Sequence, residues 1–196
     1  MRITKIAPAV KTKGRYNVFV DETYSFSLDE AQLVKLGLKR GQELDEKQLA
    51  EYKSESDFGK NYLRAVDLIS RRLRSEREIR DYAWRKKWSI ENIERVIERL
   101  YKYSYLNDEN FAVNFVRSRA RERTFSKRKM ILELKKKGIE QGIIDKVLTE
   151  TSDYDELVAL KKLIAKKRKV YTDERKLVAY LARQGFNYDD ISGMMK

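Results

Sequence analysis

Residues 75–97 read SEREIRDYAWRKKWSIENIERVI. With Ser75 as position zero, apolar residues fall at +4 (Ile79), +8 (Ala83), +13 (Trp88), +18 (Ile93), +21 (Val96) and +22 (Ile97). The stretch SKRKMILELKKKGIEQGIIDKVL, with Ser126 at zero, gives Met130, Leu134, Ile139, Ile144, Val147 and Leu148 at the same offsets. A third stretch, DERKLVAYLARQGFNYDDISGMM with Asp173 at zero, gives Leu177, Leu181, Phe186, Ile191, Met194 and Met195. No copy needs a gap, and the zero points lie 51 and 47 residues apart, a period that belongs to arrays of similar units. Each copy has the grammar of two helices joined by a short turn. A Ser or Asp opens the first helix as its cap, and Ser75 with Glu78 forms a capping-box pattern. Gly138 and Gly185 stand at +12, where a left-handed residue closes a helix. The first copy has Lys87 there, which predicts either a different turn or a strain of about 1 kcal/mol.

Working outward, a further helix precedes each pair. Leu63, Val66, Leu68, Ile69 and Leu73 recur at helical spacing before the first copy, and Phe111, Ala112, Phe115, Val116 and Ala120 before the second. Leu157, Leu160, Leu163 and Ile164 do so before the third. Three three-helix units are therefore predicted, over 59–106, 107–152 and 153–196. Ahead of them, ITKIAPAV (3–10), RYNVFV (15–20) and residues 24–28 read as strands. Asp29 and Asp45 cap two short helices, and SESDFGK (54–60) reads as a polar joint. The expected architecture is mainly α: tandem three-helix repeats in an elongated curved array, with a small β-rich domain over 1–58.

Composition narrows the chemistry. The chain has 196 residues, one proline, eight glycines, and neither cysteine nor histidine. Disulfides, His/Cys zinc sites, the Ser-His-Asp triad and Cys-His pairs are all excluded, and a cytoplasmic location is expected. No apolar run approaches the length that spans a membrane. The carboxylates sit at caps and beside bases, as surface helices place them, so neither an enzyme nor a cofactor is expected.

The net charge of +13 is unevenly placed. Residues 1–59 balance ten basic against ten acidic side chains, and the whole excess lies beyond them. Such a field draws polyanions. The candidate contacts are Arg71, Arg72 and Arg74 at one helix end, and Arg117, Arg119, Arg121 and Arg123 at every second residue. Lys127 and Arg128 continue the run, and Lys161, Lys162, Lys166, Lys167 and Arg168 form a segment with no acid between Glu156 and Asp173. Trp88 occupies a core offset. Trp84, Tyr82, Tyr101, Tyr103 and Tyr105 are expected to seal joints between repeats rather than to stack on bases.

The stretches RAVDLISRRLRSEREIRDYAWRKKW (64–88), YLNDENFAVNFVRSRA (105–120), ILELKKKGI (131–139) and KLVAYLARQGFNYDDI (176–191) resemble the RecX regulatory proteins of bacterial recombination. The N-terminal RYNVFVDETYSFSLDE resembles the extra β domain of RecX proteins of Gram-positive type. The resemblance spans essentially the whole chain. It departs at Lys87, where glycine is usual, and at ARERTFSK (120–127), where relatives often have a glycine-containing turn. It implies binding to the RecA filament along its groove, and direct, non-specific binding to single- and double-stranded DNA. It also implies modulation, mostly inhibition, of RecA ATP hydrolysis and strand exchange in recombination and SOS repair, by a monomer without catalytic residues. The competing reading is a stand-alone DNA-binding protein of helix-turn-helix type.

Overall fold

Alternation in RYNVFV puts Val18 and Val20 on one side of a strand, and both are buried. The computed structural model describes residues 1–10, 12–122, 125–150 and 154–195. Its N-terminal segment is an antiparallel sheet of β1 (Ile3–Pro8), β2 (Arg15–Val20) and β3 (Thr23–Asp29), in the order β1-β2-β3. Between β2 and β3, Asp21 and Glu22 both take positive φ, 47° and 67°, the backbone that suits a tight two-residue hairpin. Helix α1 (Glu30–Leu36) opens on a capping box of Asp29 with Gln32 and closes on Gly37 at φ 61°. Ile3, Val18, Phe26 and Leu28 make the sheet's buried side, completed by Leu38, Leu44 and Tyr52.

Helix α2 corrects the expected joint. It runs unbroken over Glu46–Arg71, 26 residues, from a capping box of Asp45 with Gln48. The small polar residues that read as a linker are its close-packed side. Ser56 is fully buried; its hydroxyl donates to the Ser27 carbonyl (2.6 Å) and accepts from the Ser27 amide (3.2 Å). A Cβ on Gly59 would lie 2.7 Å from Gln32 Oε1. Ser and Gly are placed here for closeness to β3 and α1, not for flexibility.

The remaining helices are α3 (Glu76–Arg85), α4 (Ile90–Lys102), α5 (Asp108–Glu122), α6 (Lys127–Lys136), α7 (Gln141–Glu150), α8 (Glu156–Lys167), α9 (Glu174–Arg183) and α10 (Tyr188–Met195). All eighteen repeat offsets are buried or half-buried, and only Leu148, Met194 and Met195 fall short of full burial. The expected start of the third unit at Asp153 lies outside the described residues; the cap of α8 is Asp155, which accepts from the Leu157 and Val158 amides.

The chain forms two compact units, Met1–Arg72 with Arg80–Tyr105, and Leu73–Ile79 with Leu106–Lys196. In the first, α2 packs on α4, where buried Asn61 donates to Asn92 Oδ1 (3.1 Å). The Arg80 fork grips Glu94 at 2.6 and 2.9 Å and holds that carboxyl below its usual range. Lys87 takes φ 57°. The turn is the same in all three copies: Trp88, Ile139 and Phe186 each donate back to the carbonyl five residues earlier. Lys87 therefore carries the left-handed strain that Gly138 and Gly185 avoid.

The second unit has one continuous core, from Phe111 and Ala112 through Met130, Leu134 and Leu160 to Ile191. It also holds a latch that recurs between copies. Ser75, fully buried, accepts from the Glu78 amide and donates to the Lys137 carbonyl at 2.7 Å. Ser126, equally buried, accepts from the Lys129 amide and donates to the Gln184 carbonyl at 2.7 Å. In each case the serine at offset zero of one copy binds the carbonyl at +11 of the next, beside the left-handed glycine. Lysine side chains reinforce both latches: Lys137 pairs with Glu78, and Lys129 donates to Gln184 Oε1.

Candidate polyanion-binding face

Helix α5 puts Asn110, Asn114, Arg117 and Arg121 at intervals of four, three and four residues, which is one helix face. All four are exposed. Asn114 Nδ2 donates to the Asn110 carbonyl and side-chain oxygen, both at 2.8 Å, which fixes that end of the row. Among the described residues neither Arg117 nor Arg121 makes an ion pair. Arg119 points elsewhere. Its guanidinium lies 5.2 Å from the Phe115 ring centre and 4.8 Å from that of Phe125, and it pairs with Glu122 at 2.7 Å. Alternate-residue spacing on a helix separates it from its neighbours, so it is a packing residue. Arg123 lies outside the described residues. The two asparagines escaped the charge-based reading, although their spacing with Arg117 and Arg121 is visible in the sequence.

Lys127 and Arg128 are exposed in the first turn of α6. Cations oppose the helix dipole there, so local helix stability does not account for them. The Lys127 amide donates to Glu156 Oε1 at 3.1 Å. Burial pushes that carboxyl above its usual range, while the Lys127 bond and charge pull it back. On α8, Lys161, Lys162 and Lys166 are exposed opposite the buried Leu160, Leu163 and Ile164. Lys167 is half-buried over the Tyr180 ring at 5.2 Å, and Arg168 is the exposed cap.

The N-proximal trio is already engaged within the chain. Arg71 pairs with Asp67 at 2.7 Å. Arg72 has extended backbone at the end of α2, and both it and Arg74 have partners within the chain. Arg71 and Arg72 belong to the first unit and Arg74 to the second.

The aromatic expectation holds for Trp88, buried with Tyr82 edge-on at 5.8 Å. Trp84 is 56% exposed, and Tyr101, Tyr103 and Tyr105 are exposed as well. Polar ends and long bodies let these rings sit half in water while neighbouring Ile97 and Leu100 fill the core. Among the described residues no group of three or more carboxylates could hold a metal ion, and no helix is long and apolar enough to cross a membrane.

Three family descriptions match along the chain: the regulatory protein RecX N-terminal domain over residues 1–45, the RecX first three-helix domain over 62–100, and the RecX second three-helix domain over 107–148. Regulatory protein RecX of Bacillus subtilis (strain 168) is 37% identical over 199 residues, which cover 98% of this chain and 75% of that one. The RecX of Listeria welshimeri is 35% identical over 157 residues, 80% of this chain and 58% of that one. A crystal structure of a regulatory protein RecX superposes with a TM-score of 0.77 at 28% identity, covering 99% and 98% of the two chains. The crystal structure of RecX from Lactobacillus salivarius gives 0.59 at 26% identity, over 71% of this chain and 94% of that one.

Proposed function

The chain belongs to the RecX family of regulatory proteins, and from that membership we propose that it binds the RecA filament on DNA and modulates, mostly by inhibition, RecA ATP hydrolysis and strand exchange in recombination and SOS repair. It acts as a cytoplasmic monomer without chemistry of its own, and touches single- and double-stranded DNA without sequence preference. The observation that carries this reading is the exposed row Asn110, Asn114, Arg117 and Arg121, within a region that holds the entire excess of positive charge. Arginine forks grip phosphates or acidic side chains in pairs, and asparagines add neutral hydrogen bonds to the same backbone. Exposed lysines on α8 add non-specific contacts. A chain of similar units meets a filament of identical subunits many times, so weak contacts add through effective concentration. Bridging neighbouring subunits then restrains the motions that hydrolysis and strand exchange require.

The test is RecA ATPase on single-stranded DNA with and without this protein, together with retention on RecA filaments of the wild type and an Arg117→Glu/Arg121→Glu variant. The expected outcomes are a lowered ATPase rate and a weakened variant. An unchanged rate at saturating protein refutes the regulatory reading, and equal retention removes the α5 row from it. Tight binding to one duplex sequence without RecA would favour the helix-turn-helix reading instead.

A further inference from the structure

The β-rich segment carries no excess charge, yet it holds a buried cation without a carboxylate. Arg15, on β2, is 5% exposed. Its Nε donates to Ser27 Oγ at 3.2 Å, and its Nη2 donates to the Ser27 carbonyl and, at 3.4 Å, to the Ser56 carbonyl. Its Nη1 is buried and has no hydrogen-bond partner among the described residues. A buried charge left partly unsatisfied is costly, and a structural clamp from β3 to α2 needs only the two nitrogens already engaged.

Arg15 lines a cleft of about 720 Å³ between the sheet and α2. Lys60 and Arg64, one helical turn apart on α2, line it as well. Lys60 approaches Asp57 only at 3.4 Å, and the Arg64 guanidinium meets only Asn61 Oδ1, also at 3.4 Å. Among the described residues the one carboxylate in the lining is Asp67, and it is already paired with Arg71. The three cations of the lining are thus only partly satisfied: Lys60 keeps one long salt bridge to Asp57, Arg64 makes no ion pair among the described residues, and Asp29 and Asp57 act on Arg15 without a hydrogen bond to it. Half-exposed Tyr24 and Leu63 add an apolar wall.

We propose that this cleft is a binding site for a phosphate-bearing ligand of nucleotide size, with the phosphate held by Arg15, Lys60 and Arg64 and a flat ring against Tyr24 and Leu63. Phosphate alone would leave most of the volume empty, and clefts of this size suit small-molecule ligands. Fixed arginine donors and a mobile lysine are the usual phosphate set. Burial lowers the hold of Arg15 on its proton, against the fields of Asp29, Tyr24 and Asp57; an incoming phosphate reverses that. The ligand is either a free nucleotide or the phosphorylated end of a nucleic-acid strand. The inference is independent of the recombinase reading, because it rests on Arg15 and the cleft it lines with Lys60 and Arg64, and on neither the α5 row nor the α8 lysines.

The experiment is an amide-resolved NMR titration of the full chain with ADP, adenosine, inorganic phosphate, and a trinucleotide with and without a 5′-phosphate. Expected are shifts at Arg15, Ser27, Lys60 and Arg64 with ADP or with the phosphorylated trinucleotide, and none with adenosine. Which of the two binds more tightly identifies the source, and either supports the site. Arg64→Glu and Lys60→Glu, on the solvent side of α2, should each weaken binding at least tenfold with unchanged circular dichroism. Arg15→Lys should weaken it while leaving the clamp's charge in place. No shift in the cleft at millimolar ADP and phosphorylated trinucleotide, equal binding of adenosine, or an Arg64→Glu variant that binds like wild type would each overturn the proposal.

Discussion

Gly185→Ala tests the latch between the second and third copies. The glycine sits at φ 91°, where an alanine costs about 1–2 kcal/mol. Its new Cβ would lie 2.6 Å from Ser126 Oγ and 3.4 Å from the Lys129 amide nitrogen. Ser126 is fully buried and cannot swing into solvent. Displacing it removes the cap of α6, worth about 1 kcal/mol, and leaves the Gln184 carbonyl without its donor, about 1 kcal/mol more. The smaller entropy of the unfolded alanine chain returns roughly 0.5–1 kcal/mol. The expected net loss is about 2–4 kcal/mol, read as a lowered midpoint in urea unfolding followed by far-ultraviolet circular dichroism. Gly142→Ala, at a helical glycine with nothing within 4 Å, is the control, and should be neutral or stabilising by up to about 1 kcal/mol. Ser126→Ala combined with Gly185→Ala should cost less than the sum of the two single changes, because removing the hydroxyl relieves the collision. A loss below about 1 kcal/mol for Gly185→Ala, or strict additivity in the double variant, would refute the latch.

Lys87→Gly should stabilise the first unit by up to about 1 kcal/mol, since left-handed strain is removed at the cost of a more flexible unfolded chain; a lowered thermal midpoint contradicts this. Arg119→Gln should lower the urea midpoint but leave DNA affinity nearly unchanged, whereas Arg117→Glu/Arg121→Glu should do the reverse and flatten the log–log salt slope by roughly 1.5–2; filter binding across salt concentrations separates them. Burial raises the Asp108 carboxyl above its ordinary value, against the bond from the Glu76 amide. The folded state therefore holds its proton more firmly than the unfolded chain, and stability gains from this group as pH falls from above the raised value towards the ordinary one near 4. Asp108→Asn keeps the acceptor for Glu76 and should flatten that part of the stability profile; an unaltered profile counts against the burial.

The repeat was legible because burial on a helix leaves a period. Ile79, Met130 and Leu177 occupy one offset, and each is at most 1% exposed. The hairpin and the caps at Asp29 and Asp45 were legible for a similar reason, since turns and helix starts depend on residues a few places apart. The joint at 54–60 misled because Ser and Gly look alike whether they free a backbone or let another element press against it. Only the position of β3 against Ser56 and of Gln32 against Gly59 decides which.

The cationic face divides along the same line. Charge and its location beyond residue 59 belong to the sequence, and so does the spacing that sets Arg117 with Arg121. That Arg119 is held between two phenylalanines and Glu122, that Ser126 reaches Gln184, and that Arg15 lines one cleft with Lys60 and Arg64 are matters of the folded chain. Periodicity and capping are local, so they are written in neighbouring letters. The partners of a side chain are chosen by which distant segments the core draws together, and no spacing along the chain encodes that.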